Sequence, residues 1–153
     1  MTNVLEMNFK QIEAYQALNK QLPTPVVQVV LGAPGSGKTA HAKSVLPGII
    51  AKARGINEAD VAVIVSRPSL RDSVEFTGVG IPQKDEDGQL VTRFSLPNLL
   101  EQINTALKTF KVAFVILDEL SSADDDIQKA LADCLDPETR TLAEQPLPEN
   151  VVF

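Results

Sequence analysis

The sequence predicts an α/β fold in three layers, a mainly parallel sheet flanked by helices, and three observations carry that expectation. Apolar runs rich in β-branched residues recur at residues 26–31, 61–65 and 112–117, the composition of strands buried on both faces. Stretches with apolar residues at helical spacing stand around and between them, so strands and helices alternate along the chain. Two of the runs end in chemistry: the first in a glycine-rich loop, the third in two adjacent carboxylates.

Taken in order, Phe9, Ile12, Tyr15, Leu18 and Leu22 fall at helical spacing. They predict a helix over residues 8–19 that packs through this stripe and is ended by Pro23-Thr24-Pro25. Residues 1–25 are thus read as an N-terminal helix and linker, and residues 26–153 as the core domain. Val26, Val27, Val29 and Val30 predict the first strand. After the glycine-rich loop, Ala40, Ala42 and Lys43 favour helix. That helix is expected to break or end near Pro47-Gly48, with a further turn over residues 49–54 and Gly55 as its stop. The β-branched run 61–65 reads as a strand buried on both faces.

Residues 67–82 match neither period and read as an exposed loop. Asp85-Glu86-Asp87-Gly88 reads as a turn, and residues 89–94 as the returning strand of a hairpin. Pro97 and Asn98 open a helix with Leu99, Leu100, Ile103 and Leu107 as its buried stripe. Ile127, Ala130, Leu131, Cys134 and Leu135 define one buried face of a last helix. Ser122 is its cap candidate, Asp124, Asp125 and Asp126 sit near the positive end of its dipole, and Asp136-Pro137 closes it. That placement makes the acidic cluster structural. There are no internal repeats and no low-complexity linkers.

Composition narrows the classes. At 153 residues with 44% apolar side chains, the chain suffices for one domain with a real core. No apolar run approaches membrane-spanning length, and residues 1–10 lack the basic-then-apolar layout of a signal peptide, so a cytoplasmic location and no membrane association are expected. The single cysteine forms no internal disulfide, and its place on the apolar stripe makes Cys134 a packed thiol rather than a nucleophile. The formal charge is 14 minus 20, or −6. Residues 1–111 hold 12 basic and 10 acidic side chains, residues 112–153 only 2 and 10. This distribution argues against a broad duplex-binding face. A narrow basic channel shared by several subunits stays open.

The glycine-rich loop fills every fixed position of the phosphate-binding pattern G-x-x-x-x-G-K-[ST] as Gly32-Ala33-Pro34-Gly35-Ser36-Gly37-Lys38-Thr39. Gly32, Gly35 and Gly37 let the backbone adopt positive φ and approach an anion closely. Lys38 supplies a point charge for terminal phosphates, Thr39 a hydroxyl for Mg²⁺, and the helix that starts here aims its positive end at the same place. His41, one turn on, is read as packed or solvent-facing. The second motif is the apolar run 112–117 followed by Asp118 and Glu119, at the strand edge where open α/β sheets bind ligands. Asp118 would hold the metal through water, and Glu119 would orient or deprotonate an attacking water.

These segments together resemble the AAA+ ATPases, and most closely their MoxR-like branch. The resemblance rests on the Gly32 to Thr39 loop, on Phe76-Thr77-Gly78 with its hairpin, on Leu117-Asp118-Glu119-Leu120-Ser121-Ser122-Ala123, and on Ile127-Gln128-Lys129-Ala130-Leu131. It implies a P-loop NTPase core that uses ATP and Mg²⁺. The nucleotide would be held by Gly32, Ala33, Pro34, Gly35, Ser36, Gly37, Lys38, Thr39 and Ala40, the metal by Thr39 and Asp118, with Lys38 and Glu119 catalytic. It further implies a homo-oligomeric ring, a hexamer for the complete protein, whose hydrolysis remodels a protein complex, with Phe76-Thr77-Gly78 on a loop facing the pore.

The same resemblance implies parts that the sequence lacks: a sensor residue ending a further strand, an arginine that reaches a neighbour's nucleotide, and a helical lid. Val151-Val152-Phe153 reads as the first residues of that sensor strand, whose place is between the phosphate-loop strand and the strand of the acidic pair. The fold is therefore expected to be incomplete at its C-terminus, and the isolated chain to turn over ATP weakly. A nucleotide-dependent switch or scaffold with little turnover is the alternative, and a DNA-associated ATPase stays open. A small-molecule kinase is disfavoured, because the acidic pair suits activation of water and no arginine-rich lid follows it.

Overall fold

The first helix is fixed by its cap. In the computed structural model, which describes residues 7–22 and 26–153, Asn8 Oδ1 accepts from the Gln11 backbone N–H (3.0 Å) while Gln11 Oε1 accepts from that of Asn8 (2.8 Å). This reciprocal box starts α1 (Phe9–Asn19). Its buried face is not the expected apolar stripe. Ile12, Gln16 and Asn19, at i, i+4 and i+7, are inside, whereas Phe9, Tyr15, Leu18 and Leu22 are exposed. The rotation has a cause at Asn19, whose amide donates to the Val26 carbonyl (2.9 Å) and accepts from the Val26 N–H (2.7 Å). An apolar side chain could not satisfy either group. The expected stop at Pro23-Thr24-Pro25 lies outside the described residues.

Residues 26–31 correct a second expectation. They belong to no ladder among the described residues, and Val29 and Leu31 are 75% and 65% exposed. Strand propensity supplies the side chains but not the neighbour whose N–H and C=O groups a strand must meet. At Val26 the Asn19 amide takes the neighbour's place. After the glycine-rich loop come α2 (Lys38–Ser44) and α3 (Leu46–Arg54), broken at Val45 just ahead of Pro47, which sits in the first turn of α3. Gly55 ends α3 with φ at 65°, a left-handed stop.

The next segment is more ordered than an exposed loop. β1 (Val61–Ser66) is followed by a 3-10 turn at Pro68–Leu70, then α4 (Val74–Thr77), then a hairpin of β2 (Gly80–Lys84) and β3 (Leu90–Phe94). The hairpin pairs Gly80 with Phe94 through Lys84 with Leu90. Its turn is closed by the Asp85 carboxylate, which accepts from the N–H groups of Asp87 and Gln89. Phe76 on α4 is 2% exposed and packs in the core with Leu99, Leu100 and Ile103. That overturns the pore-loop reading of Phe76-Thr77-Gly78, because a ring buried in its own domain presents nothing to a pore. Gly78 follows with φ at 75°, and a Cβ there would run into the Ser95 carbonyl, so any side chain would collide with backbone.

α5 (Asn98–Ala106) buries Leu99, Leu100 and Ile103 as expected and leads to β4 (Val112–Leu117). α6 (Asp125–Leu135) buries Ile127, Leu131 and Cys134. Its N-cap position is Asp124, while Ser122 belongs to a preceding 3-10 turn, so the predicted cap shifts by two residues. A tight hairpin, β5 (Thr141–Leu142) and β6 (Gln145–Pro146), then precedes β7 (Val151–Val152).

The central sheet is parallel in the order β1-β4-β7. Alternation along β4 sends Val112 and Phe114 into one core with Ile12, Leu46 and Ile50 from α1 and α3. Ala113 and Val115 enter the opposite core with residues of α5 and α6. The result is an α/β arrangement with a three-stranded parallel sheet flanked by helices. β1 is an edge strand of this sheet, with Val63 exposed, rather than a strand buried on both faces.

Two measurements test this packing. Phe76→Ala is expected to cost about 3–5 kcal/mol of unfolding free energy in urea titrations, the range for deleting a buried aromatic ring; a pore-facing side chain would change it by less than about 0.5 kcal/mol. Burial also pushes the Cys134 thiol up to about 12 from an ordinary value of 9.0. The unfolded chain then releases a proton above pH 9 that the folded chain keeps, so folding loses stability as pH rises through that range. We expect about 1 kcal/mol less stability at pH 10 than at pH 8 from this group, a difference that Cys134→Ala abolishes.

Candidate functional site

Residues 32–37 make the turn into α2 with Gly35 and Gly37 at φ 77° and 84°. A Cβ at either would meet nothing, so the requirement for glycine is conformational. The Ser36 N–H donates to the Ala33 carbonyl (3.3 Å). Lys38, at the first position of α2, curls back over this turn. Its Nζ donates to the carbonyls of Gly32 (2.8 Å) and Ala33 (2.9 Å) and lies 3.4 Å from Ser36 Oγ. An ammonium is therefore held at the mouth of the loop by neutral acceptors alone, a partnership that an anion would improve. Gly32, Ala33, Pro34, Gly35, Ser36, Gly37 and Ala40 are exposed, with Lys38 and Thr39 half-buried.

The acidic pair arrives from β4. Parallel pairing sets Ser66 beside Leu117, and the Asp118 N–H continues that ladder by donating to the Ser66 carbonyl (2.9 Å). The Asp118 side chain, 17% exposed, is thereby fixed at the sheet edge. Across 79 positions of sequence, Thr39 Oγ1 donates to Asp118 Oδ1 at 2.9 Å. The two motifs are joined directly. Asp118 Oδ2 faces Arg67 Nε at 3.5 Å.

Glu119 departs from the strand sharply, with φ 57° and ψ 32°. A non-glycine residue in the left-handed region is uncommon and clusters at functional sites. The turn sends the Glu119 carboxylate, which is exposed, toward Ser69, whose Oγ donates to Oε2 at 3.4 Å.

The sequence singled out the loop, Asp118 and Glu119 as candidates, but not Arg67 and Ser69, which the structure places beside the acidic pair. Both follow the C-terminal end of β1. The rule that ligands gather at the carboxyl ends of parallel strands points to them once β1 and β4 are known to be neighbours. His41 is packed, its ring stacked on Phe9 with centroids 4.2 Å apart and its Nε2 3.5 Å from Glu13 Oε1. Among the described residues no three His, Cys, Asp or Glu side chains gather as a metal centre. A cation beside Asp118 and Thr39 would therefore draw its remaining ligands from water or from a bound anion. None of the described helices is long and apolar enough to cross a membrane.

Comparison with protein-family models, curated proteins and solved structures finds no match.

The strain at Glu119 is open to measurement. Glu119→Gly should raise the unfolding free energy by about 0.5–1 kcal/mol, because glycine adopts this φ freely and offsets its larger unfolded-state entropy. Glu119→Ala should give no gain, since alanine keeps the strain. Thermal melts of the two variants side by side decide it, and equal behaviour would contradict the left-handed geometry.

Proposed function

We propose that the chain binds ATP with Mg²⁺ between the glycine-rich loop and the acidic pair, and that the site serves hydrolysis in a P-loop NTPase of the AAA+ type, nearest the MoxR-like branch. The observation that carries this reading is the 2.9 Å hydrogen bond from Thr39 Oγ1 to Asp118 Oδ1. The contact leaves a lone pair of Thr39 Oγ1 free for the ion and sets the Asp118 carboxylate beside it, where it would hold one of the ion's waters. Mg²⁺ would neutralise charge developing on the phosphates.

Each residue has a role that follows from its position. The N–H groups of Gly35 to Ala40 and the Lys38 ammonium bind and orient the phosphate chain against Gly32, Ala33 and Pro34, with Lys38 exchanging the Gly32 and Ala33 carbonyls for phosphate oxygens. Thr39 and Asp118 hold the cation. Glu119, outside the metal pair and facing solvent, positions and deprotonates a water. Ring assembly, a hexamer for the complete protein, and remodelling of a protein complex follow from the resemblance to AAA+ ATPases and belong to the same proposal.

One observation favours the alternative of a nucleotide-dependent switch with little turnover. Ser69 Oγ lies on Glu119 Oε2 and occupies part of the acceptor capacity that a general base needs.

Titration of a fluorescent ATP analogue with and without Mg²⁺, alongside phosphate release, separates these readings. Lys38→Ala should weaken nucleotide binding at least about tenfold, and Asp118→Ala should remove the Mg²⁺ dependence of binding. Glu119→Gln should keep binding and lower turnover by roughly 10² or more, the usual weight of a general base. A pure switch would leave phosphate release unchanged in Glu119→Gln, and unaltered binding by Lys38→Ala would overturn the nucleotide site itself.

A further inference from the structure

The geometry points to a second binding site, for a small amphipathic anion, in a cavity bounded by α1, α3 and β7. The cavity has a volume of about 290 Å³, near the lower end of the range that ligand pockets occupy. Its lining includes Val26 and Val27, ahead of the glycine-rich loop, and Val151 to Phe153 of the β7 end of the chain. Val151, on its wall, pairs with Ala113, five residues before Asp118, which at about 3.3 Å per residue is roughly 16 Å along the strand. None of its lining residues belongs to the nucleotide or metal reading.

Its walls are apolar where Ile50, Val151 and Val152 contribute, and its cations Lys20, Arg54 and Arg140 outnumber its one carboxylate, Glu149. Gln16 is 4% exposed, lines the cavity, and its Nε2 has no acceptor among the described residues. Buried amide donors in folded proteins are paired in the large majority of cases, so this one marks a missing partner. Two half-buried guanidiniums, Arg54 and Arg140, line the same space. Arg140 Nη2 donates to the Val151 carbonyl (3.0 Å), and neither arginine has a carboxylate within 4.0 Å among the described residues. Glu149, also on the lining, is exposed and stays beyond that distance. Burial and the neighbouring charge of Arg140 both hold the Arg54 pKa below its ordinary value, as fits two guanidiniums close together and paired with no carboxylate.

The chemistry selects the ligand. Guanidinium forks and an amide N–H recognise a carboxylate or phosphate oxygen, and the aliphatic wall recognises an apolar body. A head group alone would leave the apolar wall uncovered, and a hydrocarbon alone would leave the Gln16 amide N–H unmet.

The test is amide chemical-shift titration of the 153-residue chain with octanoate, 1-octanol and inorganic phosphate in parallel. Octanoate should give saturable shifts clustered on α1, α3 and β7, with octanol and phosphate at least fivefold weaker. Arg54→Gln and Gln16→Leu should each weaken octanoate at least fivefold while their spectra remain those of the folded wild type; Gln16→Leu removes an unpaired buried donor, so it folds at least as stably. Octanol binding as tightly as octanoate would overturn the anionic head, and phosphate binding as tightly would overturn the apolar body. Shifts scattered over the exposed valines and leucines, or variants that bind octanoate like the wild type, would overturn the site.

Discussion

Burial of β4 on both faces is the constraint on which the rest of this structure depends. Its first four residues are almost fully enclosed and none is polar. A strand of this kind has no solvent face, so helices must cover it twice. Ile12, Leu46 and Ile50 close one side over Val112 and Phe114, and Leu99, Ile103 and Leu131 close the other over Ala113 and Val115. At about 1.5–3 kcal/mol for each large apolar side chain removed from water, these contacts dominate what holds the layers together. The strand also decides where the chemistry lies. Its apolar run ends at Leu117, and the chain emerges as two carboxylates at the edge where the parallel neighbour β1 emerges too. Arg67 and Ser69 therefore meet Asp118 and Glu119 without any contact between distant loops being needed.

Asp118 and Glu119 face different partners, and the left-handed conformation of Glu119 sets where the second carboxylate falls. Asp118 keeps strand geometry, since its N–H is spent on the Ser66 carbonyl, and its side chain points to Thr39 and Arg67. One residue later the chain reverses into a 3-10 turn, and the Glu119 carboxylate falls against Ser69. The cost of a left-handed glutamate is of order 1 kcal/mol or more. The parallel ladder and the Leu120–Ser122 turn hold it there from both sides.

What could be read from the sequence was whatever each segment decides alone. β4, α5 and α6 carry their periodicity in their own residues, and the hairpin of β2 and β3 carries its turn in Asp85 to Gly88. The glycine-rich loop and the acidic pair were legible for the same reason. What escaped depends on partners. Residues 26–31 have the composition of a central strand but no ladder among the described residues, because composition does not name a neighbour. α1 turns Gln16 and Asn19 inward against its apolar pattern because Val26 needs two hydrogen bonds. Phe76 sits on a four-residue helix, too short for periodicity to distinguish a core ring from an exposed one. Arg67 and Ser69 were silent because only the β1–β4 register brings them to the site.

The two ends of the glycine-rich loop are held by unequal means, and this bears on how it would meet an anion. On its C-terminal side the loop runs into α2, which Thr39 ties to Asp118 and which Phe9 and His41 tie to α1. On its N-terminal side the nearest hydrogen-bonded anchor is the Asn19 amide at Val26, six residues before Gly32. Between these anchors the turn keeps its shape largely through Lys38, whose ammonium draws the carbonyls of Gly32 and Ala33 together. Carbonyls are the weaker partners of an ammonium, and phosphate oxygens the stronger. An anion seated in the loop would thus compete for the very cation that closes it, and Gly32 and Ala33 would be freed to turn their carbonyls outward. Among the described residues no ladder joins residues 26–31 to a neighbouring strand on the N-terminal side. On the other side the Thr39–Asp118 contact remains as the fixed point from which the two halves of the site are aligned.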